Sequence, residues 1–221
     1  MPTSINKKTC ALKGKISEIF FSIQGEGIYC GIPCWFVRFS GCDKNCPYCD
    51  TLYAKTGGSF MTSENVLRRI KGNAPVVITG GEPSLQGEFL SALLTKLKGR
   101  KVFLETSGSM QLSDAGAFEH ISFHAELPLS SDDRKFIRDI SVRAFTLKIV
   151  VTSAAKFKDI LSAARYLGKF VNSSIVLQPV SIGKKIDKAA LGKAVLFAGR
   201  LQSVYKKVRM LPQIHKLLDL K

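Results

Sequence analysis

From Trp35 onward the chain repeats one pattern: a short apolar run, a turn rich in Gly, Ser or Pro, then a stretch of helical period. Runs of strand length separated by helical segments are how βαβ units read, and such units need a parallel sheet. The candidate strands are 35–40, 75–79, 101–105, 120–124, 145–151 and 174–178. Six of them predict a partly closed parallel barrel or an open sheet. Between them, Phe89, Leu90, Leu93, Leu94 and Leu97 fall on one helical face, as do Phe157, Ile160, Leu161, Ala164 and Leu167. These stripes read as core. Asp187 is placed to cap a further helix through Leu191, Val195 and Leu196 to about Leu201. Extended runs at 15–24 and 206–211 lie outside the repeat, and 127–141, with Pro128, serines and mixed charges, reads as an irregular insertion.

Composition narrows this picture. The 221 residues are 45% hydrophobic and 23% charged, enough for one well-buried core and short for two. A single domain over 1–221 is expected, with an N-terminal extension (1–34) and a C-terminal tail (206–221) packed on it. No apolar run approaches the roughly 20 residues that span a bilayer, and the start lacks an apolar signal core, so a soluble, cytoplasmic protein is expected. The formal charge of +16 is a large positive field that favours anionic partners. Its lysines are scattered, with short doublets at Lys7-Lys8, Lys184-Lys185 and Lys206-Lys207, which reads as a solvated basic surface; nucleic acid is the disfavoured partner.

The chemistry begins at Cys42, Cys46 and Cys49, three thiols within eight residues. Closed electron-transfer clusters take four cysteines, so three leave one iron of a [4Fe-4S] cluster open to a substrate or cofactor. Zinc prefers four ligands, and His120, His124 and His215 all lie far downstream. Cys10, Cys30 and Cys34 bring the count to six and read as ordinary thiols, with shielding of the cluster loop as the lesser reading for Cys30 and Cys34. After the second strand comes Gly80-Gly81-Glu82-Pro83, whose glycines let backbone approach a ligand carrying both carboxylate and ammonium. Alone it would be a tight turn. Following a three-cysteine loop, it gains weight.

That pairing resembles the radical S-adenosylmethionine (SAM) superfamily, whose C-x3-C-x2-C motif matches Cys42, Cys46 and Cys49, with Tyr48 as the aromatic before the last cysteine. The resemblance implies that the open iron chelates SAM, that an electron from the cluster cleaves a C–S bond, and that the resulting 5′-deoxyadenosyl radical abstracts hydrogen. It also implies an α/β fold, a single-domain partial (βα)6 TIM-like barrel with extra terminal extended segments. The run from Glu18 to Gly27, then Gly31-Ile32-Pro33, Phe36-Val37-Arg38, Cys49-Asp50-Thr51, the Glu105 to Gly108 turn, Gln178-Pro179 and the tail from Leu211 to Lys216 are similar to the 7-carboxy-7-deazaguanine synthase family. The likeness covers nearly the whole chain. It implies a carbon–nitrogen lyase that converts 6-carboxy-5,6,7,8-tetrahydropterin to 7-carboxy-7-deazaguanine with loss of ammonia and Mg2+ assistance, in the queuosine precursor pathway.

By that resemblance, Ile23, Gln24, Gly25, Glu26, Arg38 and Thr79 bind substrate, and the terminal carboxylate of Lys221 reaches the pocket. A pterin offers an amide and amine edge for Gln24 and Glu26 and a carboxylate for a bidentate Arg38. Gln24 and Glu26 alternate on an extended segment and so point to one side. Glu105 and His215 take the catalytic places. SAM falls to Tyr48, Cys49, Asp50, Gly81, Glu82, His124, Ala125, Glu126, Gln178, Pro179, Val180 and Ser181, and Mg2+ to Thr51. A homodimer and a reducing donor such as flavodoxin or ferredoxin complete the expectation.

One departure stands out: many members carry Ser-Pro-Lys where this chain has His124-Ala125-Glu126, a reversal of charge at a SAM contact. Two other readings remain at this point. A glycyl-radical activase would use the same cysteine loop on a protein substrate, and a basic metal-binding RNA-interaction module would use the +16 charge.

Overall fold

The computed structural model describes residues 12–220. Cys10, Lys221 and the Lys7-Lys8 doublet lie outside the described residues. In chain order the elements are β1 (Lys13–Ile23), β2 (Pro33–Phe39), β3 (Ser59–Thr62), α1 (Ser63–Arg69), β4 (Val76–Gly80), α2 (Gly87–Lys96), β5 (Val102–Thr106), β6 (His120–His124), α3 (Ser131–Ile140), β7 (Phe145–Val151), α4 (Phe157–Leu167), β8 (Ser173–Pro179), the short pair β9 (Ser181–Ile182) and β10 (Lys185–Ile186), α5 (Lys188–Leu201), β11 (Val208–Met210) and α6 (Ile214–Leu217).

The main sheet has the order β11-β8-β7-β6-β5-β4-β2-β1-β3. Strands β2, β4, β5, β6, β7 and β8 are the six expected from the apolar runs, all parallel, with β11 adding a parallel seventh beside β8. Strand β1 pairs antiparallel to β2 and carries β3 on its other edge. The fold is a partial barrel. Near-continuous apolar strands follow from burial on both faces, as in parallel sheets generally: Val76, Val77 and Ile78 are fully buried, as are Phe145 and Leu147. The α2 stripe of Phe89, Leu90, Leu93 and Leu94 packs into the same core, with Leu97 at its end.

Three expectations change. Residues 127–141 are not irregular throughout, because α3 occupies most of them. Ser130 accepts the Asp133 N–H while the Asp133 carboxylate accepts from the Ser130 N–H, a capping box, and Phe136, Ile137 and Ile140 are buried. The charged first turn hid a helix with few apolar positions. In α5, Asp187 does accept the Ala190 N–H at 2.7 Å, but the face it buries is Ala190, Ala194, Phe197 and Leu201, leaving Val195 and Leu196 exposed. Cys34, second in β2, packs with Phe36, Val77 and Phe103, so a strand's length separates it from the cluster loop that follows Phe39. It cannot shield that loop.

His120 opens β6 inside the barrel, where its Nε2 shares a 2.9 Å hydrogen bond with Thr146 and burial pushes its pKa down to about 4. An unfolded chain would bind that proton near pH 6.5, so folding stability should fall as pH drops from about 6.5 to about 4, by up to about 3 kcal/mol for this group. His124 acts in the same window. Replacing His120 with Gln should flatten, without abolishing, the slope of unfolding free energy against pH measured in urea.

Candidate active site

A cavity of about 400 Å³ opens where the barrel strands end at their carboxyl side, the position that parallel α/β folds reserve for chemistry. Cys42, Cys46 and Cys49 sit in its wall as half-buried free thiols. The loop that carries them is tied at several points. Gly41 donates to the Ala54 carbonyl (2.8 Å) and its own carbonyl accepts from the Glu82 N–H (2.7 Å), while the Lys55 ammonium spans the Lys44 carbonyl and Asn45 Oδ1. A Cβ on Gly81 would lie 2.0 Å from the Gly41 carbonyl oxygen, so only glycine lets the second loop approach the first this closely.

Burial pushes the Cys42 and Cys46 thiols above their ordinary pKa, and Glu126, Cys49 and Cys42 push Cys46 further. Three sulfurs within reach of one another's charge, with Lys55 easing only Cys42, form a donor set that a metal centre neutralises. The thiols fit an iron–sulfur cluster. Thr51 follows them into the cavity wall, and although it precedes the short 3-10 turn Leu52–Lys55, its hydroxyl makes no cap bond to that turn.

Glu82 is fully buried and its carboxylate is spent on protein donors: the N–H groups of Ser84 (2.9 Å) and Ser107 (2.6 Å) and the hydroxyls of Thr106 (2.5 Å) and Ser107 (2.6 Å). It staples the turn after β4 to the end of β5, leaving none of its carboxylate for a ligand. Charge-assisted bonds of this number explain how a carboxylate can be buried without a cation.

Across the cavity runs a chain of paired charges. Gln24 donates to Glu105 Oε1 (3.1 Å), and the buried Lys148 ammonium donates to Glu105 Oε2 (2.9 Å) and Glu26 Oε2 (2.6 Å). Gln213 donates to Glu26 Oε1 (2.7 Å) and Asp50 Oδ2 (3.1 Å), and Lys216 meets Asp50 at 3.1 Å. Burial alone would raise Glu26, yet Lys148 and Gln213 hold it down at about 2. Asp50 is likewise held well below the carboxylate range, against its burial, by His215 and Lys216. Glu26, Asp50 and His215 bring ligand atoms within 4.8 Å of one another, a spacing that suits a cation, but both carboxylates already answer to ammonium groups.

Beside Lys148, whose register partner on β6 is His124, the Tyr48 hydroxyl and His124 Nε2 share a 3.3 Å contact; burial pushes Tyr48 up to about 12 and His124 down to about 4. Gln178 lines the same wall, and its Oε1 is buried with no hydrogen-bond partner among the described residues. Arg38 gives its Nε–H to Glu18 (2.7 Å), which also accepts from the Tyr53 hydroxyl (2.7 Å), so its two Nη groups are the part a bound carboxylate can meet.

The Radical SAM superfamily model matches residues 36–187. The 7-carboxy-7-deazaguanine synthase of Chlorobaculum tepidum is 38% identical over 179 residues, covering 75% of this chain and 79% of that one. The chain belongs to the 7-carboxy-7-deazaguanine synthase family. Another member, from Thermoplasma acidophilum, is 31% identical and is covered over 96% of its length, with 92% of this chain. A crystal structure of QueE from Escherichia coli shares the fold with a TM-score of 0.67 at 23% identity, over 92% of this chain and 95% of that one. These likenesses favour neither a glycyl-radical activase nor an RNA-interaction module.

Most of the residues expected from the family motifs meet in this one cavity: Ile23 to Glu26, Arg38, Thr79, Glu105 and His215, together with Tyr48 to Thr51, Gly81, His124 and Gln178. Glu82, Ala125, Glu126, Pro179, Val180 and Ser181 are not in its wall. Ala125 is core, the Val180 N–H is taken by the Val151 carbonyl, and Ser181 belongs to the β9–β10 pair, where it is the register partner of Ile186. Glu126 stays near enough to Cys46 and Tyr48 to act on both by charge. Lys148, Gln213 and Lys216 went unassigned as site residues. The signal for Lys148 was one lysine in the otherwise uncharged, mainly apolar strand Phe-Thr-Leu-Lys-Ile-Val-Val.

The tail is seated on Gly25, whose carbonyl accepts from the Ile214 N–H (2.9 Å) and where a Cβ would lie 2.2 Å from His215 Nδ1. Gly25→Ala should therefore unseat His215 and cost about 1–3 kcal/mol by overpacking. Limited proteolysis should then cut within residues 211–220 faster than in the parent protein.

Proposed function

We propose that this chain is the radical SAM lyase that converts 6-carboxy-5,6,7,8-tetrahydropterin to 7-carboxy-7-deazaguanine with release of ammonia. The observation that carries the reading is the convergence, in one cavity, of a three-thiol loop with a wall of pterin-matching groups: Arg38 for a carboxylate, and Gln24, Glu26 and Glu105 for an N–H edge. Cys42, Cys46 and Cys49 would hold a [4Fe-4S] cluster with one iron left for SAM. When bound, the cluster and SAM supply the one-electron chemistry that begins hydrogen abstraction.

The chain's own residues do the rest. The backbone at Gly80 and Gly81 and the Gln178 side chain would receive the polar groups of SAM, with Tyr48 and His124 lining the same cavity. Thr51 offers a hydroxyl to Mg2+, which takes few protein ligands and leaves the remainder to substrate and water. Losing ammonia requires a proton to be delivered to the departing nitrogen, and Glu105 and His215 are wall groups able to exchange one, at a carboxylate oxygen and a ring nitrogen. A homodimer and reduction by a flavodoxin- or ferredoxin-like donor belong to the same proposal.

The test is anaerobic reconstitution with iron and sulfide, followed by carboxytetrahydropterin, SAM, Mg2+ and a reductant. The deazaguanine product is expected; cleavage of SAM without that product would contradict the substrate assignment. Arg38→Ala should weaken pterin binding by about 2–3 kcal/mol, on the order of 100-fold, while iron content stays at the parent level. Loss of iron in that variant would show that Arg38 supports the cluster loop instead.

A further inference from the structure

Lys148 is the anomaly of the barrel interior. It comes from the middle of β7, a strand otherwise apolar apart from Thr146 and buried apart from the half-buried Val150, and its side chain is only 11% exposed. Its ammonium lies between Glu26, which follows β1, and Glu105, which belongs to β5. Each of those carboxylates gives one oxygen to Lys148 and the other to a glutamine amide: Glu26 Oε1 to Gln213, Glu105 Oε1 to Gln24. Both planes are thereby set. An ionised carboxylate has about four acceptor sites, so roughly two on each remain after these bonds, and both side chains line the cavity.

We propose that Lys148 is a positioning residue, holding Glu26 and Glu105 as a fixed pair of hydrogen-bond acceptors that selects a substrate presenting adjacent N–H donors. The inference rests on the pterin reading for the identity of that substrate, whose amine and ring N–H edge has this character. It does not depend on that reading for the charge arrangement itself.

Without the ammonium, the pair becomes two neighbouring carboxylates in a largely enclosed wall, each side chain 16% exposed, an arrangement that drives one of them to take a proton. For Glu26, burial is the largest influence and raises its pKa, Asp50 raises it further, and the lowering comes chiefly from Lys148. The other groups facing this cluster are His215 and Lys216 beside Asp50, His124 beside Lys148 on the neighbouring strand with Tyr48 against it, and Cys30 near Glu26. None replaces the ammonium, since Lys216 is engaged by Asp50. A protonated carboxyl offers an O–H where the substrate needs an acceptor. The defect should therefore be greatest at low pH and shrink as pH rises and the proton leaves.

The experiment compares the reconstituted parent protein with Lys148→Met and Lys148→Arg. Carboxytetrahydropterin affinity is measured by calorimetry from pH 6 to pH 9, and carboxyl protonation by infrared spectroscopy with isotope-labelled glutamate. In Lys148→Met, affinity should fall roughly tenfold or more at pH 6 and recover toward pH 9, and a protonated-carboxyl band absent from the parent should appear and fade over the same range. Lys148→Arg, which keeps the charge, should show no such band. A loss of affinity in Lys148→Met that does not vary with pH, or the absence of the band, would overturn the proposal. If the parent itself does not bind the pterin while the band still tracks Lys148→Met, the substrate reading fails and the charge role is upheld.

Discussion

An ammonium buried between two carboxylates organises this molecule's site. Glu26, Glu105 and Asp50 crowd one cavity, and such a cluster of negative charge in a partly dry interior is tenable only with cations and amide donors threaded through it. Lys148 and Gln213 supply these between Glu105, Glu26 and Asp50, and Lys216 closes the series at the tail. Every link joins segments remote in sequence: residues 26 and 148 are 122 apart, and 26 and 213 are 187 apart. The segment that reads the substrate, the loop that carries the thiols and the C-terminal tail are thus fixed by one electrostatic arrangement.

The parallel sheet supplies the rigid edge from which that arrangement projects. Glu82 shows how the edge is reinforced: a conspicuous acidic residue in a glycine-rich turn, expected to meet a cofactor, instead binds the ends of β4 and β5 together with four donors. The turn's ligand-facing part is then its glycine backbone, brought against Gly41 at a distance no side chain permits. Positioning by backbone and by buried ion pairs costs little reorganisation when a ligand arrives, which suits a site that must hold a cofactor and a substrate in one orientation.

What could be read from the chain beforehand was what is local. Most of the six barrel strands are built on a short apolar run, and the three cysteines lie within eight residues, so both announce themselves. Gln24 and Glu26, Arg38 and His215 were found through short motifs and do meet in the cavity. The α3 helix escaped because its capping box, Ser130 with Asp133, sits in a charged stretch where only Phe136, Ile137 and Ile140 mark the buried face. Lys148 escaped for a different reason: its partners come from two other parts of the barrel, and nothing within β7 names them. Long-range charge pairing is a property of the fold, and only the anomaly of a lysine among buried apolar neighbours hints at it.

The most direct test of this account is the titration of Glu26 in the intact protein, followed by NMR of carboxyl-labelled glutamate. Held by Lys148 and Gln213, its resonance should stay flat from neutral pH to below about pH 4, in keeping with a carboxyl lowered to about 2. A midpoint at or above the ordinary value of 4.5 would mean that the ammonium does not govern the cluster, and the account of the site would fail with it.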